Sequence, residues 1–154
     1  DRLMTDRRMF MTALAAGIIA GPAMAWSGQA PVRARVFRAP DCGCCGAWVA
    51  HLRDHGFAVE VVTTDDMQGV KDRHAVPAPL RSCHTALIDG YVIEGHVPAT
   101  DISALLAQRP RAAGLAVPGM PAGSPGMEMG GRRDPYDVIL WTGSETRIFA
   151  SHRG

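Results

Sequence analysis

Four cysteines are the residues of this sequence with the clearest potential for chemistry. Cys42, Cys44 and Cys45 stand in one short stretch, DCGCCGAWVAHL, and Cys83 lies far along the chain. A disulfide uses two sulfurs, and the adjacent Cys44 and Cys45 could join only through a strained small ring, so crosslinking does not explain the crowding. Thiolates bind soft metals, which leaves Cu(I), zinc and an iron–sulfur cluster as candidates.

Residues 114–131, GLAVPGMPAGSPGMEMGG, carry further soft donors. Cu(I) accepts thioether sulfur more readily than zinc or iron–sulfur sites do, so methionines beside cysteines favour copper. Met120 and Met127 are the predicted ligands, and Met129 is a weaker candidate. Gly and Pro argue against a helix or a central strand, so we expect a loop that folds over the cysteines. Filling irregular gaps in a core is the alternative role for these methionines.

The N-terminal segment predicts export of the chain. Arg7 and Arg8 precede an apolar run over residues 10–20, and Ala23-Met24-Ala25 is typical of a cleavage site. The apolar run is too short for a membrane span, which needs about 20 residues. The paired arginines resemble a twin-arginine signal. We therefore expect residues 1–25 to be an export signal and the protein to be periplasmic, with an uncleaved anchor as the alternative.

Charge and motifs exclude several classes of function. The net charge is +1, and no run of Lys and Arg interleaves with aromatic residues, so no nucleic-acid partner is predicted. The sequence contains no G-x-S-x-G elbow and no phosphate-binding glycine loop, so hydrolase and nucleotide-binding functions lack support. After removal of the signal, no membrane span is expected.

The rest of the chain predicts an α/β domain with the order β-α-β-α-β-β-α. Hydrophobic spacing and turn residues predict strands at 32–37, 58–64, 83–88 and 91–94, and helices after the cysteines, at 65–74 and at 99–109. Gly56 is expected to end the first helix, and Thr100 or Asp101 to cap the last one. Residues 26–113 would form this domain. Residues 114–154 would be a Met/Gly/Pro-rich extension that packs on the metal site and ends in a hairpin about Thr142-Gly143.

The element order, with C-x-x-C at the start of the first helix, resembles a thioredoxin-like domain. In such folds the loops after the first strand, before the third strand and after the hairpin meet at one edge. Cys42–Cys45, Cys83 and Gly95-His96 would then lie together. Helix N-termini lower thiol pKa values, so thiolates are expected there. Cys44 is one position from Cys45 and projects about 100° away, so it would need a second metal ion or a wider cluster.

The histidines divide by their predicted positions. His96 lies in the converging loop and is a predicted metal ligand. His84 alternates with Cys83 if the strand is regular, which would place the two on opposite faces, so its role stays open. His51 and His55 are four residues apart on the first helix, a spacing that can bind metal, but a solvated helix face explains them better.

Three strings, CGCCGAW, SCHTALIDGYVIEGHVPA and GLAVPGMPAGSPGME, resemble the CopG family of periplasmic copper resistance proteins. The likeness extends from residue 32 to about residue 150. The resemblance implies a thioredoxin-like domain with a C-terminal extension. It also implies a cysteine-bridged cluster of several copper ions and the interconversion of Cu(I) and Cu(II).

Three functions remain open from the sequence. The first is a periplasmic copper protein that cycles the metal with an efflux or electron-transfer partner. The second is a metal-free thiol–disulfide oxidoreductase, in which Cys42 attacks a partner disulfide and Cys45 resolves it. Such enzymes usually carry a proline before the third strand, where this chain has Ser82-Cys83. The third is a copper storage or delivery module without redox turnover. Whether the protein is an enzyme depends on which of these holds.

Overall fold

The computed structural model describes residues 28–154, in which seven strands and three α-helices alternate. The strands are β1 (Arg33–Arg38), β2 (Ala58–Thr63), β3 (Thr85–Ile88), β4 (Tyr91–Glu94), β5 (Gly114–Ala116), β6 (Pro135–Thr142) and β7 (Glu145–Arg153). The helices are α1 (Gly43–Asp54), α2 (Met67–Arg73) and α3 (Ala99–Gln108), with a short 3₁₀ helix at Ala78–Leu80. The α/β class and each predicted strand and helix are confirmed. α1 begins at Gly43, so it includes Cys44 and Cys45, and the other bounds shift by at most two residues.

All seven strands form one mixed sheet in the order β2-β1-β3-β4-β5-β6-β7. β1 pairs with β2 in parallel and with β3 in antiparallel fashion. The β3–β4 hairpin turns at Asp89 and Gly90, which both have positive φ, as a tight two-residue hairpin requires. The sheet therefore brings the start of β3 and the end of β4 next to the end of β1, where the cysteines follow.

The core lies between the helices and the sheet. Trp48, Val49 and Leu52 repeat at helical spacing on α1, and all three are buried. Ala34 and Val36 of β1 are buried beneath them, whereas Val32 precedes the strand and is 38% exposed. Gly56 follows the end of α1 with φ +84°, which confirms its predicted role in ending the helix.

Two predictions about the second half of the chain are wrong. No side chain of α3 itself caps that helix: it begins after Pro98, and His51 Nε2 on α1 accepts a hydrogen bond from the Ala99 N–H at 3.0 Å. Residues 114–131 are not entirely loop, because residues 114–116 form the buried central strand β5 between β4 and β6. The prolines that exclude a strand begin only at Pro118.

The predicted terminal hairpin is present as β6 and β7, and it extends the sheet. Both predicted segments, 26–113 and 114–154, thus contribute strands to one sheet, and their division into domain and extension stays a prediction. The predicted signal at residues 1–25 lies outside the described residues. Within residues 28–154, no helix has the length and apolar character needed to cross a membrane.

Candidate metal centre

All four cysteine sulfurs lie at one corner of the molecule. The Sγ atoms of Cys42, Cys44, Cys45 and Cys83 are within 4.8 Å of one another. Cys44 Sγ lies 3.5 Å from Cys42 Sγ and 3.9 Å from Cys83 Sγ, so it occupies the middle of the group. Cys45 is fully buried, and the other three are partly exposed. The predicted meeting of Cys83 with the cysteine turn is therefore present, and the turn of the helix does not carry Cys44 out of the group.

The start of α1 holds the cysteine turn in place. Cys42 is the residue before the first helical turn, and Arg38 at the end of β1 donates a hydrogen bond to the Cys42 carbonyl oxygen at 3.2 Å. The same guanidinium also bonds the Pro40 carbonyl oxygen at 3.3 Å. A charged side chain on a strand therefore fixes the loop that presents the sulfurs. No local sequence pattern indicates this contact, because it depends on the path of the loop around Arg38.

Cys42 and Cys45 are joined by a disulfide, while Cys44 and Cys83 are free thiols. The pair has the C-x-x-C spacing that allows reversible formation and reduction of a disulfide. Reduction would place four thiols at the corner. The corner is thus capable of two kinds of chemistry: thiol–disulfide exchange and binding of a soft metal.

His96 is oriented with an unprotonated nitrogen toward the sulfurs. Its Nδ1 lies 2.7 Å from the Pro125 carbonyl oxygen, which can only accept, so Nδ1 carries the proton. In the neutral ring Nε2 is then unprotonated, and it lies 3.2 Å from Cys83 Sγ. Burial lowers the pKa of His96, which favours this neutral form. A backbone carbonyl behind an imidazole is the usual support of a metal-binding histidine.

His84 also faces the corner, which makes its predicted orientation wrong. β3 begins only at Thr85, so the alternation of a regular strand does not apply to Cys83 and His84. His84 Nδ1 lies 3.2 Å from Cys83 Sγ, and its fully buried ring packs 4.3 Å from the Trp48 ring centroid. Cys83, His84 and His96 form a second group of potential ligand atoms within 4.8 Å. Nε2 of His84 is buried with no hydrogen-bond partner among the described residues.

The surroundings of Cys83 do not favour its thiolate form. Burial, and then the neighbouring Cys44, raise the pKa of Cys83 to about 12. Burial, and then the charge of His96, hold the pKa of His84 well below its usual value. The expectation of low thiol pKa values rested on the helix N-terminus, and Cys83 lies on a different loop. A cation at the corner would compensate the buried charge of a Cys83 thiolate.

The methionine segment contacts the corner through its backbone. The Pro125 carbonyl holds His96, and Ser82 Oγ donates to the Gly119 carbonyl oxygen at 2.5 Å. Met127 is half-buried, whereas Met120 is 52% exposed. The backbone of the segment therefore contacts the two loops that carry Cys83 and His96, and its packing on a metal site stays a prediction. The roles of Met120 and Met127 as ligands stay predictions.

The other histidines have structural partners. His51 caps α3, and its ring lies 4.3 Å from that of His55. His152 Nε2 lies 2.7 Å from Asp101 Oδ2, at the start of α3. Neither pair belongs to the two groups of potential metal ligands.

Comparison with known proteins identifies the family. A family model described as a protein of unknown function, DUF411, matches residues 80–127, which include Cys83, His96, Met120 and Met127. Among solved structures, copper resistance protein copG in form 2 is 47% identical over 79% of this chain and 98% of its own, with a TM-score of 0.76. Form 1 of the same protein is 48% identical over 80% and 99% of the two chains, with the same TM-score. The chain belongs to the copG family of copper resistance proteins. The resemblance of its three sequence strings to this family is thereby confirmed.

The match takes in nearly the full length of the two solved structures. A search of curated proteins gave no match. The sulfurs and imidazoles at the corner are the groups of this chain that could bind a metal.

Proposed function

We propose that this protein binds several copper ions at the corner formed by Cys42, Cys44, Cys45 and Cys83, as part of copper resistance. His96 would supply an imidazole nitrogen, and Met120 and Met127 would supply thioethers. The donor set is dominated by sulfur, which suits Cu(I). One copper ion rarely takes so many donors, so a cluster with bridging sulfurs fits the site better than a single ion.

One observation carries this proposal: four sulfurs from two distant segments lie within 4.8 Å of one another and beside the unprotonated Nε2 of His96. Packing of a core does not require free thiols to meet a neutral imidazole at a partly exposed corner. The name of the similar solved structures, copper resistance protein, supports copper over zinc or iron.

The proposal includes export and redox cycling. The predicted signal at residues 1–25 supports a periplasmic location, and the order β-α-β-α-β-β-α supports a thioredoxin-like description of the fold. Interconversion of Cu(I) and Cu(II) moves one electron for each ion. A periplasmic electron-transfer partner must take or supply this electron, or a dissolved oxidant must take it when Cu(I) is oxidised. A copper-efflux partner would receive the ions themselves.

The Cys42–Cys45 disulfide favours a second candidate function, thiol–disulfide exchange without metal. In that reaction a Cys42 thiolate attacks a partner disulfide, forms a mixed disulfide and releases one partner thiolate. Cys45 then attacks the mixed disulfide, which closes the Cys42–Cys45 bond and releases the second thiolate. Neither Cys44 nor His96 has a necessary role in this sequence of steps.

Removal of Cys44 separates the two candidates. We expect Cys44→Ser to lose most of the bound copper, because Cys44 Sγ lies between the other sulfurs, and to keep any insulin-disulfide reductase activity. Copper would be counted by elemental analysis of the reduced chain after loading with Cu(I) and desalting. His55→Ala, a change on the exposed end of α1, is the matched control and should keep the wild-type copper content.

Retention of the wild-type copper content by Cys44→Ser would contradict the cluster.

Redox cycling is tested on the loaded wild-type chain by its visible spectrum. Reversible loss of charge-transfer bands on reduction, with constant copper content, supports cycling. A spectrum that reductant and oxidant leave unchanged would instead favour a storage or delivery module.

A further inference from the structure

A buried ion pair lies directly behind the candidate metal centre. Lys71 Nζ on α2 is 2.6 Å from Glu94 Oε1, and the two side chains are 2% and 0% exposed. Thr85 Oγ1 donates to Glu94 Oε2 at 2.7 Å and accepts from Lys71 at 3.0 Å. The Ser82 N–H also donates to Glu94 Oε1, at 2.8 Å. The carboxylate is therefore the centre of a network with three donors.

The network joins the two loops that carry Cys83 and His96. Ser82 immediately precedes Cys83, and Glu94 stands two residues before His96. Glu94 and Thr85 are directly paired across the β3–β4 hairpin. One carboxylate thus holds the backbone before the sulfur, while its own strand leads into the imidazole. Cys83 Sγ and His96 Nε2, which follow on these two loops, lie 3.2 Å apart.

Stability alone does not account for the pair. Moving two charges out of water costs about as much as their attraction returns, so apolar replacements of a buried pair are often neutral or stabilising. Apolar side chains could fill this space, but they could not accept a hydrogen bond from the Ser82 N–H. Lys71 has a clear part in this arrangement, since its Nζ bonds both Glu94 Oε1 and Thr85 Oγ1 and so fixes the position of the carboxylate.

We propose that Glu94 is a positioning residue for the metal centre, and that Lys71 and Thr85 hold its carboxylate in place. Glu94 fixes Ser82, and thereby Cys83, against the loop of His96. This inference rests on the proposed copper function and adds the residues that set its ligand geometry. Neither side chain touches the metal in this proposal.

The test compares two double variants of the full chain that differ in whether residue 94 can accept a hydrogen bond from the Ser82 N–H. In Lys71→Met/Glu94→Gln the charges are gone, but the amide oxygen can still accept from Ser82. In Lys71→Met/Glu94→Leu that acceptor is lost as well. Cu(I) affinity would be measured by competition with a chromophoric chelator under anaerobic, reducing conditions, and the thiolate charge-transfer spectrum recorded. Val70→Ala, a buried change on the same helix, controls for general loosening.

We expect the Leu variant to bind copper about 10- to 100-fold more weakly than wild type, as when other outer-shell partners are lost, with an altered spectrum. The Gln variant should lose clearly less, and Val70→Ala should keep the wild-type spectrum. If the Leu variant does not fold, Glu94→Asp replaces it. Its carboxylate keeps the charge but is one methylene too short to hold Ser82, so a similar loss is expected.

Equal copper affinity of the Gln and Leu variants, or of Glu94→Asp and wild type, would overturn the positioning role and leave the copper function intact. Failure of the wild-type chain to compete for Cu(I) would overturn the proposed function itself. The two failures are distinguished because the wild-type measurement involves none of the variants.

Discussion

Gly126 offers a sharp test of how the methionine segment supports the centre. Its φ is +87°, and a Cβ at this position would lie 2.9 Å from both the Cys44 carbonyl oxygen and the Trp48 nitrogen. It would also lie 3.1 Å from His96 Nδ1. The first two atoms are backbone of α1 and cannot move aside, so Gly126→Ala must displace the segment.

The expected cost has two parts. A left-handed conformation costs a residue with a Cβ about 1–2 kcal/mol, and the overlap with α1 adds about 1–3 kcal/mol, as overpacking does elsewhere. Gly130→Ala is the matched control, because Gly130 lies in the same segment with φ +67° and has nothing within 4 Å of its Cβ position. The difference between the two variants isolates the contact with α1.

Urea unfolding of both variants measures this difference, and Cu(I) competition measures its effect on the centre. We expect Gly126→Ala to be less stable than Gly130→Ala by about 1–3 kcal/mol. We also expect about tenfold weaker copper binding, because displacement of Pro125 removes the carbonyl that orients His96. Equal stability and equal copper affinity of the two variants would refute the reasoning that the segment is seated on α1.

Two further predictions concern pH and processing. Burial, and then the charge of His55, lower the pKa of His51 from 6.5 in the folded chain, so unfolding takes up a proton there and stability falls as the pH drops below that value. In urea unfolding at pH about 7.5 and about 5.5, His51→Gln should therefore lose less stability than wild type over this interval; an identical loss would contradict it. The exported chain should begin at Trp26 by mass spectrometry, and Ala25→Leu should block cleavage. Recovery of exported protein that still carries residues 1–25 would contradict the signal.

Local patterns were sufficient to predict most elements. Val49 and Leu52 mark the buried face of α1, and Asp89-Gly90 marks the hairpin, because both signals depend only on spacing and turn conformation within one element. β5 was missed because a strand of three residues is too short to show a hydrophobic period. The cap of α3 was missed because the acceptor, His51, comes from another helix.

Some residues of the candidate site could likewise be predicted from the sequence, and others could not. The crowding of Cys42, Cys44 and Cys45 is visible in the sequence and points to metal or redox chemistry. The pairing of the fourth sulfur with His96 could be expected only through a likeness in fold, and the orientation of His84 was predicted wrongly. The carbonyl of Pro125 and the carboxylate of Glu94 had no sequence signal, because a backbone oxygen and a buried charge are recognised by what surrounds them.

By itself, the sequence determined the chemical type of the donors, which are soft sulfur atoms. It also placed three of the cysteines next to one another and showed the pattern of an α/β chain. The tertiary structure determined that Cys83 and His96 lie beside these three cysteines. The register that pairs Thr85 with Glu94 places Cys83 and His96, two residues outside that pair on either strand, side by side. Spacing along a chain sets which face a residue occupies, but distances between residues far apart in sequence are set only by the pairing of strands.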